Sequence, residues 1–218
     1  VLGLRVVARG LQSGAKPQLV VSNHVSYFDI ITLGSLIAGD FIAKADIAKW
    51  PIFGVMAKAG RSVFIDRRRS ATSNARDQIQ ERLDAGDTLI MFPESTSSDG
   101  NHVKAFKSAL FTVAERHVTD AQGQTHNVTV QPVSMAYTRL NGLPLGVGWR
   151  PYVAWYGDME LMPHLWQVAK LGTLTVEVTF HPPVSLGDFP TRKALAAHCD
   201  QVVRRGMAQM LAGRAEAA

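Results

Sequence analysis

The sequence predicts an α/β fold: a sheet with helices on its faces and a site at the strand ends. Short apolar runs alternate with amphipathic stretches along the chain, the pattern of strands and helices laid down in turn. Two of those runs, Leu19-Val20-Val21 and Thr88-Leu89-Ile90-Met91-Phe92, pass directly into polar turns. Strand ends are where α/β proteins present side chains to a ligand, because the backbone is held while the side chains reach outward. No repeat, low-complexity tract or linker divides the chain, so residues 1–218 read as one domain, long enough to bury a substantial core.

Each element has its own signal. Residues 1–9 alternate apolar and basic residues, as a strand does, and Gly10, Ser13, Gly14 and Pro17 mark a turn. A strand at 18–22 enters the turn Asn23-His24-Val25-Ser26-Tyr27, and a helix follows over 28–38, stopped at Gly39-Asp40. Phe41-Ile42-Ala43-Lys44 is a short strand, and Asp46 is a candidate cap for the next helix. Trp50 to Met56, interrupted by Pro51, reads as a core helix or as a shallow membrane-contacting element. Ser62 to Asp66 is a strand, and residues 70–85 are an amphipathic helix with Gly86 as its stop. Lys104 to His117 reads as a helix. Val128 to Tyr137 reads as a strand whose Pro132 implies an edge, a bulge or a strand end. Trp149, Tyr152, Trp155, Tyr156 and Trp166 suit a boundary that is wet on one side, an acyl-chain channel or plain core packing. Leu174 to Phe180 alternates strictly, as a half-buried strand should, and residues 191–212 form the last helix.

Composition narrows the partners. The chain carries a net charge of +5, with 46% apolar and 19% charged residues, and its pI is about 9.6. That balance favours anionic partners such as phosphate-bearing cofactors, acidic carrier proteins or anionic membrane surfaces. Nucleic acid is disfavoured, because the charge is local and no nucleic-acid module is recognisable. The single cysteine, Cys199, excludes an internal disulfide and a thiolate metal cluster, and reads as a small buried residue. The seven histidines show no metal-ligand spacing. No apolar run is long enough to span a membrane.

His24 and Asp29 carry the chemical expectation. On a regular helix, residues five apart stand about 140° from one another, so the pair meets only if His24 lies in the turn and Asp29 in the first helical turn. Asp29 would then accept from one imidazole nitrogen and leave the other to take a proton. Arg61, Arg67, Arg68 and Arg69 flank the strand at 62–66, either as a solvated edge or as an anion site, since guanidinium matches phosphate and carboxylate oxygens with paired hydrogen bonds. The turn Pro93-Glu94-Ser95-Thr96-Ser97-Ser98-Asp99-Gly100 is either a solvent loop or a substrate-binding loop.

Together these stretches resemble the glycerolipid acyltransferases, the 1-acylglycerol-3-phosphate acyltransferase family. The resemblance rests on four blocks in order: Asn23-His24-x-x-x-x-Asp29, Gly60-Arg61-Ser62-Val63-Phe64-Ile65-Asp66-Arg67, Phe92-Pro93-Glu94-Ser95-Thr96 and Val130-Gln131-Pro132-Val133. It implies a mixed central sheet flanked by helices, with His24 and Asp29 as the catalytic pair. It implies that Arg67, Glu94, Ser95 and Thr96 bind the acceptor, and that Pro132 supports the site. Asn23, Lys44, Arg61, Arg68, Arg69 and Ser97 are further supporting or anion-binding candidates. The family's third block usually reads Phe-Pro-Glu-Gly-Thr-Arg, so Ser95 stands in place of glycine and Ser97 in place of arginine. Loss of that arginine removes a charge-assisted pair worth about 1.5–3 kcal/mol to a phosphate. Ser97-Ser98-Asp99-Gly100 and Trp155-Tyr156-Gly157-Asp158-Met159 resemble the branch that acylates lyso-ornithine and related lyso-aminolipids. The acceptor of that branch is a hydroxyl on a 3-hydroxyacyl chain amide-linked to an amino acid.

The resemblance implies direct acyl transfer from an acyl carrier protein or CoA thioester, with no cofactor and no metal. It also implies a lyso-lipid acceptor and a place at the cytoplasmic face of a bacterial inner membrane, peripherally or through a segment upstream of Val1. No G-x-S-x-G elbow is present, which disfavours an acyl-enzyme on serine. Lysophosphatidate is the alternative acceptor. A thioesterase, with His24 activating water, and a noncatalytic lipid- or carrier-binding module are the rival classes.

Overall fold

The structure is a computed structural model that describes residues 3–44, 63–65, 72–119 and 125–214. Its frame is a nine-stranded mixed sheet. In chain order the strands are β1 (Gly3–Arg9), β2 (Gln18–Ser22), β3 (Asp40–Lys44), β4 (Val63–Ile65) and β5 (Thr88–Met91). A separate hairpin of β6 (His117–Thr119) and β7 (Thr125–Asn127) precedes β8 (Thr129–Leu140), β9 (Leu143–Pro144), β10 (Thr173–Phe180) and β11 (Val184–Ser185). Across the sheet the order is β1-β10-β8-β2-β5-β3-β4, with β9 and β11 also paired to β8. β2 lies parallel to both neighbours, β5 and β8, while β10 runs antiparallel to β8. The mixed sheet that the sequence implies is therefore present, and the turn holding His24 leaves its middle.

β2 shows why the sheet folds as it does. Leu19, Val20 and Val21 are all fully buried, so both faces of this strand are covered. A continuous apolar run is the signature of such a strand. Val20 faces a core shared with α1 (Phe28–Leu36), α4 (Leu161–Ala169) and Val133, Met135 and Tyr137 of β8. Leu19 and Val21 face the other core. There they meet α2 (Thr72–Asp84), the 3-10 helix Ser108–Glu115 and α5 (Arg192–Leu211). Each such side chain, fully buried, contributes about 1.5–3 kcal/mol. Cys199 is buried on α5, as its composition implied, and burial pushes its thiol up to about 12. Gly206 of the same helix is needed for close approach: a Cβ there would lie 2.3 Å from Ser134 Oγ of β8.

Three expectations are corrected. Pro132 sits inside the twelve-residue central strand β8, not at an edge. It is tolerated because the outer partner of β8 changes there, from β11 at Val130 to β10 at Val133, so no ladder donor is required. Residues 104–107 are not helical. Their amides are held by tertiary partners: Lys104 by Glu94, Phe106 by Asp200 and Lys107 by the Pro93 carbonyl. Only Ser108–Glu115 coils, as a 3-10 helix. β10 is buried on both faces rather than half-buried. Its polar positions Thr175 and Glu177 are buried too, and the side chains of Arg9 on β1 and Thr138 on β8 reach across to bond Glu177.

The aromatic stretch forms two helices, the short α3 (Arg150–Val153) and α4. Trp155 packs edge-on to Tyr27, whereas Trp149, Tyr152 and Trp166 are exposed. The expected elements at Asp46 and Trp50–Met56 lie outside the described residues. No described helix is long and apolar enough to cross a membrane.

Candidate active site

Asn23, the first residue after β2, extends the sheet with its side chain. Its amide nitrogen donates to the Met135 carbonyl at 2.9 Å and its amide oxygen accepts from the Met135 amide at 2.8 Å. Both ends of the amide are therefore committed to the β8 backbone, and Asn23 supports the turn rather than offering itself to an anion. The next residue leaves the sheet at an angle fixed by this pair.

That residue is His24. Its Nδ1 lies 2.8 Å from Asp29 Oδ2, with the ring one-fifth exposed and the carboxylate fully buried. The same Oδ2 accepts from the backbone amides of Val25 at 2.6 Å and Ser26 at 3.0 Å. Tyr137 donates its hydroxyl to Oδ1 at 2.7 Å. Amides can only donate, so Oδ2 acts as an acceptor and His24 Nδ1 carries the proton. Nε2 is then the nitrogen with an open lone pair. Burial, then the adjacent Asp29 charge, holds the Tyr137 hydroxyl well above its ordinary value, so it stays protonated and donates. Behind the imidazole, Phe92 stacks on it at 4.3 Å and 16°. The ring is thus held on one edge by Asp29 and on one face by Phe92.

Glu94 holds the His24 main chain. Its Oε1 accepts from the His24 amide and its Oε2 from the Lys104 amide, each at 2.7 Å. The side chain is buried, and burial, partly offset by those two hydrogen bonds, pushes its carboxyl up to about 8. Ser98 completes the clamp by donating its amide to the His24 carbonyl at 2.8 Å. Both Glu94 oxygens are thus engaged with backbone, which places this residue as a positioning group rather than an open acceptor contact.

The rest of the third block divides. Thr96 is exposed beside the site. Ser95 adopts a left-handed backbone with φ of 69°. Ser97 is buried, and its hydroxyl donates to the Trp155 carbonyl. That hydroxyl is committed and does not face an anion. Pro132 pairs in register with Val21 beside the turn. Lys44 ends β3, and its side chain, together with Arg61, Arg67, Arg68 and Arg69, lies outside the described residues. Tyr137 and Lys104 were not singled out by sequence. The only signal for Tyr137 is its place in the strand that holds the proline block.

A buried carboxylate, an imidazole with one nitrogen open and a rigid backbone clamp form a general-base device. The family model for acyltransferases matches residues 4–136. The chain belongs to this acyltransferase family. It is 42% identical over 213 residues to a protein named lyso-ornithine lipid O-acyltransferase from Brucella abortus, covering 97% of this chain and 79% of that one. It is 38% identical over 218 residues to a protein of the same name from Rhizobium meliloti, covering 100% and 74%. The crystal structure of the 1-acyl-sn-glycerophosphate acyltransferase from Thermotoga maritima has the same fold. The TM-score is 0.65 at 25% identity, over 98% of this chain and 74% of that one. The matched span in this acyltransferase includes all four sequence blocks and ends one residue before Tyr137.

Proposed function

We propose that this acyltransferase, read as one domain over residues 1–218, acylates the hydroxyl of a lyso-ornithine or related lyso-aminolipid. The donor is an acyl carrier protein or CoA thioester. His24 Nε2 takes the hydroxyl proton as the oxygen attacks the thioester carbonyl. The tetrahedral adduct collapses, the C–S bond breaks, and the departing thiolate is protonated by the imidazolium. Asp29 keeps the proton on Nδ1 beforehand and stabilises the imidazolium afterwards. The observation that carries this chemistry is the 2.8 Å His24–Asp29 contact, with Asp29 further held by two amides and a tyrosine.

The names of the relatives at 42% and 38% identity support the acceptor, as does serine at position 97. A lyso-lipid acceptor and a basic chain of net charge +5 favour work at an anionic membrane surface, the cytoplasmic face of a bacterial inner membrane. The test supplies one acyl thioester with lyso-ornithine lipid or with lysophosphatidate and resolves the products by mass. Turnover on the aminolipid alone is expected. Turnover on lysophosphatidate alone would overturn the acceptor assignment, and free fatty acid without an acceptor would make the protein a thioesterase.

A further inference from the structure

Arginine is usual at position 97 in the family, and serine removes that charge from the chain position. A cation from a neighbouring segment meets the backbone at this position. Lys104 Nζ donates to the Ser97 carbonyl at 2.8 Å. The Lys104 amide is fixed by Glu94 Oε2, and the other oxygen of that carboxylate holds the His24 amide. The Ser97–Ser98 peptide is shared in the same way: its N–H goes to the His24 carbonyl and its C=O receives the lysine. Two independent ties thus set the Lys104 main chain and its ammonium beside the backbone of the candidate base. The Ser97 hydroxyl turns instead to the Trp155 carbonyl.

An ammonium has three N–H donors, and the Ser97 carbonyl engages one. The residue is exposed, and among the described residues no carboxylate lies in ion-pair contact with it, although its charge acts on the Glu94 carboxyl. We propose that Lys104 binds the carboxylate of the acceptor's amino-acid head group and so sets acceptor specificity. This rests on the aminolipid reading above. Lysine and arginine each pair with carboxylate or phosphate, so the position of the cation, not its type, separates the two acceptor classes. In an amide-linked amino acid the carboxylate also lies further from the reacting hydroxyl than does the phosphate of lysophosphatidate. A cation carried by a longer reach from a neighbouring segment fits that spacing.

The test compares wild type with Lys104→Met on lyso-ornithine lipid and on its carboxyl methyl ester, using one acyl thioester. Lys104→Met keeps the aliphatic stem and leaves the backbone amide on Glu94. It is expected to raise KM for the free acid by about 10- to 100-fold, with kcat changing far less. The ester should show the same KM with both proteins, and Lys104→Arg should recover most of the free-acid KM. An unchanged free-acid KM in Lys104→Met would overturn the proposal. So would an equal rise with acid and ester, which would mark Lys104 as a structural support of the loop. Wild-type turnover on lyso-ornithine lipid judges the acceptor separately. Its absence would overturn the aminolipid reading and the Lys104 assignment together, while its presence with an indifferent Lys104→Met would overturn the assignment alone.

Discussion

Tyr137 donates its hydroxyl to Asp29 Oδ1 across 2.7 Å, from the strand that lies beside the one carrying His24. The carboxylate therefore has its two oxygens divided. Oδ2 serves the imidazole and two amides, and Oδ1 is fixed by the phenol. Tyr137→Phe keeps the ring and removes only the donor, leaving a fully buried carboxylate oxygen without its partner. Loss of stability of about 1–3 kcal/mol is expected in denaturant unfolding, with kcat reduced by about tenfold and KM for the acceptor little changed. An unchanged kcat would show that the amides alone orient Asp29.

Asp29→Asn tests whether the carboxylate charge is needed. The Val25 and Ser26 amides and His24 Nδ1–H all need an acceptor, so the asparagine oxygen faces them and its NH2 turns to the Tyr137 hydroxyl oxygen, which can accept. The tautomer is kept, but the imidazolium loses the negative charge that stabilises it. A loss of about 10²–10⁴-fold in kcat is expected, close to that of His24→Ala, with acceptor binding retained in both. Full turnover by His24→Ala would remove the mechanism altogether.

The strands and the His24–Asp29 contact were legible because their signals are local. Leu19-Val20-Val21 is apolar on both faces, and the five-residue spacing of His24 and Asp29 allows contact only across a turn entering a helix. What the sequence hid depends on register between distant segments. Tyr137 meets Asp29 only because β8 lies beside β2, a pairing between residues 108 apart in sequence at this contact. Glu94 was expected among the acceptor contacts. Its engagement follows from two amides that arrive from different segments, His24 and Lys104. The helix expected from Lys104 failed for the same reason, because its first amides find partners outside the segment. Lys104 could be read as an ordinary surface lysine until the loop at Ser97 was seen beneath it.

Glu94 makes stability depend on pH. Its carboxyl rises from an ordinary 4.5 to about 8 on folding, burial being the main cause. Between those two values the folded protein holds the proton and the unfolded chain has lost it. The contribution of this group is therefore complete below the lower value and declines as pH rises through the window, by up to about 1.4 kcal/mol per pH unit. Glu94→Gln cannot titrate, so its unfolding free energy should lack that decline. The variant should also lose activity at every pH, since its NH2 must face either the His24 or the Lys104 amide, donor against donor. Parallel pH–stability slopes for the two proteins would show that Glu94 does not take up the proton.

Ser95 occupies a backbone conformation that glycine adopts without strain. Its φ of 69° costs an L-residue roughly 1–2 kcal/mol. Glycine removes that strain and gives back roughly 0.5–1 kcal/mol through the greater freedom of the unfolded chain. Ser95→Gly is therefore expected to raise Tm by about 1–3 °C, and Ser95→Ala, which keeps the strain, is not. Thermal unfolding of the two variants separates backbone from side chain. If both lower Tm, the Ser95 hydroxyl outweighs the strain and the serine is held there by its contacts. If only alanine does, the serine is retained at a cost in stability, and a rise in acceptor KM for Ser95→Gly would show what that cost supports.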